Sequence, residues 1–208
     1  MRPAFIYFDI GNVICFFDRA REVRQVAEVS GVPEDKIREV LLAAETGLLW
    51  KLERGQFSEQ QFYEAFCQAT GSRPAMEKLL TADADIFTLN GSLLPLIAQL
   101  EDSRIPLGVL SNISAPHWRL LTDGRYAILP GPFRERILSF EAGAQKPDDK
   151  IFRRAIERAR VPADQIFYAD DVLGHVEAAK KLGIDAVQYT TTDALEQDLL
   201  ARGIRCNF

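Results

Sequence analysis

The sequence predicts a doubly wound, Rossmann-like parallel α/β sheet with an all-helical domain inserted after its first strand. Three observations carry that reading. From residue 105 onward, short apolar runs ending in polar residues alternate with amphipathic helical patterns, the mark of a parallel sheet with crossover helices. One further run, Phe5-Ile6-Tyr7-Phe8, stands near the start and stops at Asp9-Ile10-Gly11-Asn12. Between it and the next run lie about 75 residues of helical periodicity, where a plain crossover needs one helix.

The run 5–8 is apolar throughout, as a strand buried on both faces requires. Arg19–Ser30 follows with Val23, Val26, Ala27 and Val29 on one face, and Arg19, Arg21 and Arg24 interleaved with Glu22 and Glu28 read as a solvated face. Val32-Pro33-Glu34 opens a helix whose inner stripe is Ile37, Val40, Leu41 and Leu42. Gly47 and Gly55 bracket a short segment through Trp50 and Leu52, and Ser58 with Gln61 forms a capping box before Glu59–Ala69. Trp50, Phe57 and Phe62 are expected in the core of this block. A helix at Leu93–Leu100, a strand at 105–110, a helix near Pro116–Thr122 and a strand around Arg136–Phe140 come next. Helix Lys150–Arg160, strand 165–169, helix Leu173–Leu182, strand Ile184–Gln188 and helix Thr192–Gly203 complete the alternation. The boundaries are therefore 1–15 and 89–208 for the sheet core and 16–88 for the helical domain.

Chemistry gathers where the runs stop. Asp9 stands at the carboxyl end of the first strand, where open α/β sheets bind ligands, and a carboxylate there serves as nucleophile or hard-metal ligand. Gly11 and Asn12 permit the turn that lifts the chain off the sheet. The strand 165–169 runs into Asp170-Asp171, an adjacent acid pair that a third acid nearby would make costly without a cation. Ser111 and Asn112 end the strand 105–110 and offer hydrogen bonds to an oxyanion. Lys146, in Gly143-Ala144-Gln145-Lys146-Pro147, supplies a point charge suited to phosphate.

Taken in order, Asp9, Ser111, Lys146-Pro147 and Asp170-Asp171 resemble the four motifs of the haloacid-dehalogenase superfamily of phosphohydrolases. Phe8-Asp9-Ile10-Gly11-Asn12-Val13-Ile14 is most similar to the branch that contains α-glucose-1-phosphate phosphatase. The resemblance implies a Mg²⁺-dependent phosphatase of a small phosphorylated metabolite, with Asp9 as nucleophile through an aspartyl-phosphate. Ser111 and Lys146 would assist catalysis, and Gly11, Asn12, Ser111, Asn112 and Lys146 would bind substrate. Asp9, the Gly11 carbonyl, Asp170 and Asp171 would hold the metal, with Asp171 the direct ligand and Asp170 behind it. It also implies that residues 16–88 form a cap that selects substrate, where Lys51 and Arg54 are candidates for polar substrate groups. Gly11 stands where most members carry the general acid and base, which leaves open what protonates the leaving group. His175 replaces a usual asparagine, and two readings stand: an imidazole that lines the site and titrates near neutrality, or, with the larger share, a structural substitution on the first helical turn. Two other functions fit the same constellation: a metal-independent 2-haloacid dehalogenase, and a catalytically weak binding or regulatory protein. The acid pair and the lack of tyrosine at position 11 argue against the dehalogenase.

A net charge of −5 over 208 residues gives no electrostatic case for a nucleic-acid partner. Apolar residues make up 47% and charged ones 26%, ordinary for a globular enzyme, and no apolar run is long enough to span a membrane. Cys15, Cys67 and Cys206 have no metal-type spacing and read as reduced thiols of a cytoplasmic protein, Cys15 as a small buried hydrophobe. The oligomeric state is not legible.

Overall fold

The computed structural model describes residues 2–126 and 128–205. Five parallel strands form the sheet: β1 (Phe5–Phe8), β4 (Leu107–Ser111), β5 (Phe133–Leu138), β6 (Ile166–Asp170) and β7 (Asp185–Gln188). Their spatial order is β5-β4-β1-β6-β7, with every neighbouring pair parallel. The central strands β1, β4 and β6 are buried along their whole length, which is why they read as unbroken apolar runs. Chain order reverses at the β1–β6 pair, a topological switch point whose carboxyl edge is the expected ligand site of such a sheet.

Helices cover both faces. One face packs Ile6, Phe8, Val109 and Phe167 against α6 (Leu94–Asp102), α7 (Ala115–Leu121) and α11 (Thr192–Ala201). The other packs Tyr7, Leu110, Ile166 and Tyr168 against α9 (Asp149–Ala159) and α10 (Leu173–Lys181). A short α8 (Ser139–Ala142) joins β5 to the lysine loop.

After β1 the chain forms a two-stranded antiparallel ribbon, β2 (Cys15–Phe17) with β3 (Phe87–Leu89). Between these strands lie α1 (Arg19–Ser30), α2 (Glu34–Leu42), α3 (Leu48–Glu53), α4 (Glu59–Thr70) and α5 (Met76–Ala84). They bury their own apolar cluster, including Val23, Ile37, Leu41, Phe62 and Phe66, with Phe57 packed against it and Trp50 half-buried. The capping box at Ser58 and Gln61 is formed. The expected wholly helical stretch is thus bounded by a ribbon: each of its strands is three residues long, too short to show alternation. Strand β5 begins three residues earlier than the sequence suggested, because Glu135, half-buried between the exposed Arg134 and Arg136, breaks the apolar alternation.

Cys15 is fully buried in the sheet-side cluster, and burial pushes its thiol up to about 12. Cys67 is buried and free, and Cys206 lies outside the described residues. Among the described residues no helix is long and apolar enough to cross a membrane.

Candidate active site

The switch point gathers the strand-end residues into one cluster. Asp9 follows β1 and is tied to β6 through its amide, which donates to the Ala169 carbonyl at 2.9 Å. One Asp9 oxygen accepts from the Ile10 amide at 2.7 Å and lies 2.9 Å from the Lys146 ammonium. Lys146 also donates to Asp170 at 2.6 Å and to the Leu110 carbonyl at 3.0 Å, and it sits 3.0 Å from the Tyr168 hydroxyl. Tyr168 donates in turn to Asp170. The other Asp170 oxygen accepts from the Val172 amide at 2.8 Å and meets His175 Nδ1 at 3.0 Å. The Lys146 and Asp170 side chains are wholly buried.

These contacts set the protonation states. Burial works against charge on Asp170, but Lys146 and His175 outweigh it and hold the carboxyl well below its usual range. Burial likewise opposes charge on Lys146, and Asp9 and Asp170 overcome it. For Asp9 burial wins: its carboxyl is pushed up to about 6, with Lys146 and the Ser111 hydroxyl pulling the other way.

Asp9, Asp170 and Asp171 each place a carboxylate oxygen within 4.8 Å of the other two. Three carboxylates against one ammonium leave an excess of negative charge, and the oxygens are donors of the hard kind that a Mg²⁺-like cation takes. Asp170 already receives hydrogen bonds on both oxygens, so Asp9 and Asp171 are the more open donors. Asp171 is oriented by the Asn12 amide, which donates to it at 2.9 Å. Asn12 sits at φ 52, a left-handed conformation that asparagine tolerates.

A cavity of about 160 Å³ opens over Asp9. On the sheet side Gly11, Ser111, Asn112, Asp171 and His175 line it. Lys146 stands behind Asp9 rather than in the wall. The Asn112 side chain is taken up by the lysine loop: it donates to the Lys146 carbonyl at 3.0 Å and accepts from the Lys146 amide at 2.8 Å. A Cβ at Gly11 would lie 3.1 Å from Phe17 Cε1, so the Phe17 ring occupies the room that a side chain there needs.

The helical segment reaches the cavity, but through residues other than Lys51 and Arg54. Phe17, Arg19 and Glu53 line it, and His117 closes its floor beside Phe87. Arg19, read from sequence as part of a solvated face, lies over the Phe17 ring and pairs with Glu22 at 2.7 Å and Glu53 at 3.3 Å. Lys51 and Arg54 do not line the cavity; they rest on the rings of Phe57 and Trp50. Helical phase explains the exchange for Lys51, since Glu53 points about 160° away from it, and Arg54 lies beyond the helix as its C-cap. Of the two readings of His175, the structure favours the one that lines the site, because it binds Asp170 and borders the cavity.

No family model and no curated protein matches this chain. Solved structures do. A HAD-family enzyme from Bacteroides thetaiotaomicron, in complex with magnesium and inorganic phosphate, superposes with a TM-score of 0.81 at 19% identity, over 92% of this chain and 96% of that one. A HAD-like hydrolase from Porphyromonas gingivalis gives 0.79 at 21% identity, over 96% and 98%. L-2-haloacid dehalogenase from Xanthobacter autotrophicus gives 0.61 at 18% identity, over 96% and 83%. The chain has the fold of the HAD hydrolases.

Proposed function

We propose that this chain is a divalent-cation-dependent phosphomonoester hydrolase acting on a small phosphorylated metabolite. The observation that carries the proposal is the convergence of Asp9, Asp170 and Asp171 at the switch point, with Lys146 bridging two of them. The magnesium and phosphate held by the Bacteroides enzyme of the same fold support it.

Asp9 attacks phosphorus and forms an aspartyl-phosphate, which water then hydrolyses. Lys146 orients Asp9 and offsets its charge, so that an oxygen facing the cavity is available as nucleophile. Ser111, at the end of β4 beside Asp9, donates to the phosphoryl oxygens as charge spreads over them. Asp9 and Asp171, with the Gly11 carbonyl, would hold Mg²⁺, and Asp170 would support them through Lys146, Tyr168 and His175. The metal when bound supplies charge neutralisation and alignment of the phosphoryl group. Residues 16–88 act as the cap, contributing Phe17, Arg19 and Glu53 to the cavity wall. The cavity is smaller than the roughly 300–1,000 Å³ usual for drug-sized ligands, which fits a short leaving group such as a sugar. A sugar phosphate esterified at the anomeric oxygen matches the sequence resemblance around Gly11-Asn12.

The deciding experiment measures p-nitrophenyl phosphate hydrolysis by the purified protein with Mg²⁺ and with chelator. Activity that needs the metal and vanishes in Asp9→Asn is expected. Chloride release from a 2-chloroacid in chelator, without phosphatase activity, would transfer the assignment to dehalogenation.

A further inference from the structure

A phosphomonoesterase with glycine at position 11 needs another proton donor for its leaving group. Four titratable side chains on the cavity wall are neither the nucleophile nor proposed metal ligands: Arg19, Glu53, His117 and His175. Arg19 stays charged at any working pH. His117 is committed at both ring nitrogens, to Ser114 Oγ at 2.9 Å and the Asp83 carbonyl at 3.2 Å, and burial drives it to about 3, so it is neutral. His175 Nδ1 is committed to Asp170, so its ring belongs to the wall of the nucleophile and only Nε2 is open. Glu53 is the one carboxyl among the four.

We infer that Glu53 is the general acid and base of this enzyme, delivered from the helical segment in place of the residue missing at position 11. This inference rests on the phosphatase reading above. Glu53 is fixed from three directions. Its carbonyl accepts from Ser139 Oγ at 2.5 Å, Gln145 Nε2 donates to its carboxyl at 3.1 Å, and Arg19 lies 3.3 Å away. The chain then reverses at Gly55, at φ 66, where a Cβ would collide with the Phe140 carbonyl oxygen. Both carboxyl partners are donors, so the O–H of the acid form has no acceptor among them and is left for a group in the cavity.

Burial favours that acid form, against the pull of the two donors in contact with Glu53, Arg19 and Gln145. Burial raises it above the usual carboxyl range, ahead of the opposing pull of Arg19, and Glu22 on α1 adds to the rise. Arg19 is shared with Glu22, which it meets more closely. Asp83 on α5 stands within the same buried group, and Gln145 beside the lysine loop is uncharged. In the first step the Asp9 carboxylate forms the O–P bond, the P–O bond to the leaving group breaks, and the Glu53 proton passes to the departing alkoxide. In the second, the Glu53 carboxylate takes a proton from the water that attacks phosphorus. Asp9 leaves as carboxylate, inorganic phosphate forms, and Glu53 is reset.

The test compares phenyl phosphate, whose leaving group needs a proton, with p-nitrophenyl phosphate, whose leaving group does not, using the full chain with Mg²⁺. Glu53→Gln is expected to lower kcat/KM, which reports the leaving-group step and not the dephosphorylation common to both esters, about 100-fold more on phenyl phosphate than on p-nitrophenyl phosphate, and it is these kcat/KM losses that are compared. It should also remove the alkaline limb of the phenyl phosphate pH profile. A second variant, Gln145→Leu, withdraws a donor from the Glu53 carboxylate and should move that limb to higher pH. Equal losses on both substrates, or a limb that neither variant moves, would overturn the role of Glu53 while leaving the phosphatase reading intact. Wild-type protein with no Mg²⁺-dependent hydrolysis of either ester would overturn that reading and this one with it.

Discussion

On the sheet side of the cavity, Lys146 joins Asp9 and Asp170, and every hydrogen-bonding position of Asp170 is filled from Tyr168, Val172 and His175. On the helical side, one cation, Arg19, faces Glu22 and Glu53, with Asp83 close by. There both Asp83 oxygens and one Glu22 oxygen are buried without a donor partner among the described residues. Burial, and then Glu22, drive Asp83 far toward its protonated form. One wall therefore holds its charges by pairing and the other by retaining protons. Paired carboxylates stay ionised and suit a nucleophile and a metal; proton-holding carboxyls suit acid chemistry.

The comparison can be broken most forcefully at Asp9. Asp9→Asn should lower turnover by roughly 10⁴-fold or more, since the amide keeps the shape but loses the nucleophile. Retention of the wild-type rate, measured with p-nitrophenyl phosphate, would remove the covalent mechanism.

Removing the cation of the paired wall should cost stability as well as activity. Lys146→Met strands two buried carboxylates, a change expected to destabilise by about 3–5 kcal/mol in urea unfolding. A loss under about 1 kcal/mol would mean that water reaches the pair after all.

The proton-holding wall responds to pH in two opposite ways. His117 titrates near 3 in the fold against 6.5 unfolded, so only the unfolded chain takes up this proton as pH falls below about 6.5. Its contribution is full above that value and declines toward pH 3, by up to about 1.4 kcal/mol per pH unit. Asp83 is raised, so the unfolded chain alone loses that proton above 3.8, and its contribution falls as pH rises from there. Asp83→Asn should therefore raise the melting temperature at pH 7 relative to pH 4. An unchanged difference between the two pH values would show that Asp83 is ionised in the fold.

The smallest effect is expected at Arg54, whose guanidinium rests 4.6 Å from the Trp50 ring outside the cavity. Arg54→Met should leave the ranking of phosphorylated substrates unchanged, whereas Arg19→Met should alter it. A reordering by the first variant alone, in a panel of sugar and alkyl phosphates, would restore Arg54 as a substrate contact.

What the sequence by itself determined was everything governed by short-range periodicity and strand-end chemistry. The runs at β1, β4 and β6 are apolar because both sheet faces are covered, and each stops where the chain must turn off the sheet, so Asp9, Ser111 and Asp170-Asp171 were readable one by one. Their convergence followed from the rule that such strand ends share one edge. Tertiary structure alone decided the opposite wall. Glu53 falls at the end of a six-residue helix, too short for its phase to be read, and its partners Arg19 and Gln145 lie 34 and 92 residues away. Glu22 and Asp83 meet only because α1 packs on α5, and Tyr168 and Asp170 share an ammonium only because Lys146, 22 and 24 residues away, reaches both. Charged residues on amphipathic helices look alike in sequence whether they face water or a cavity. Which of them is buried depends on long-range packing that no local pattern encodes.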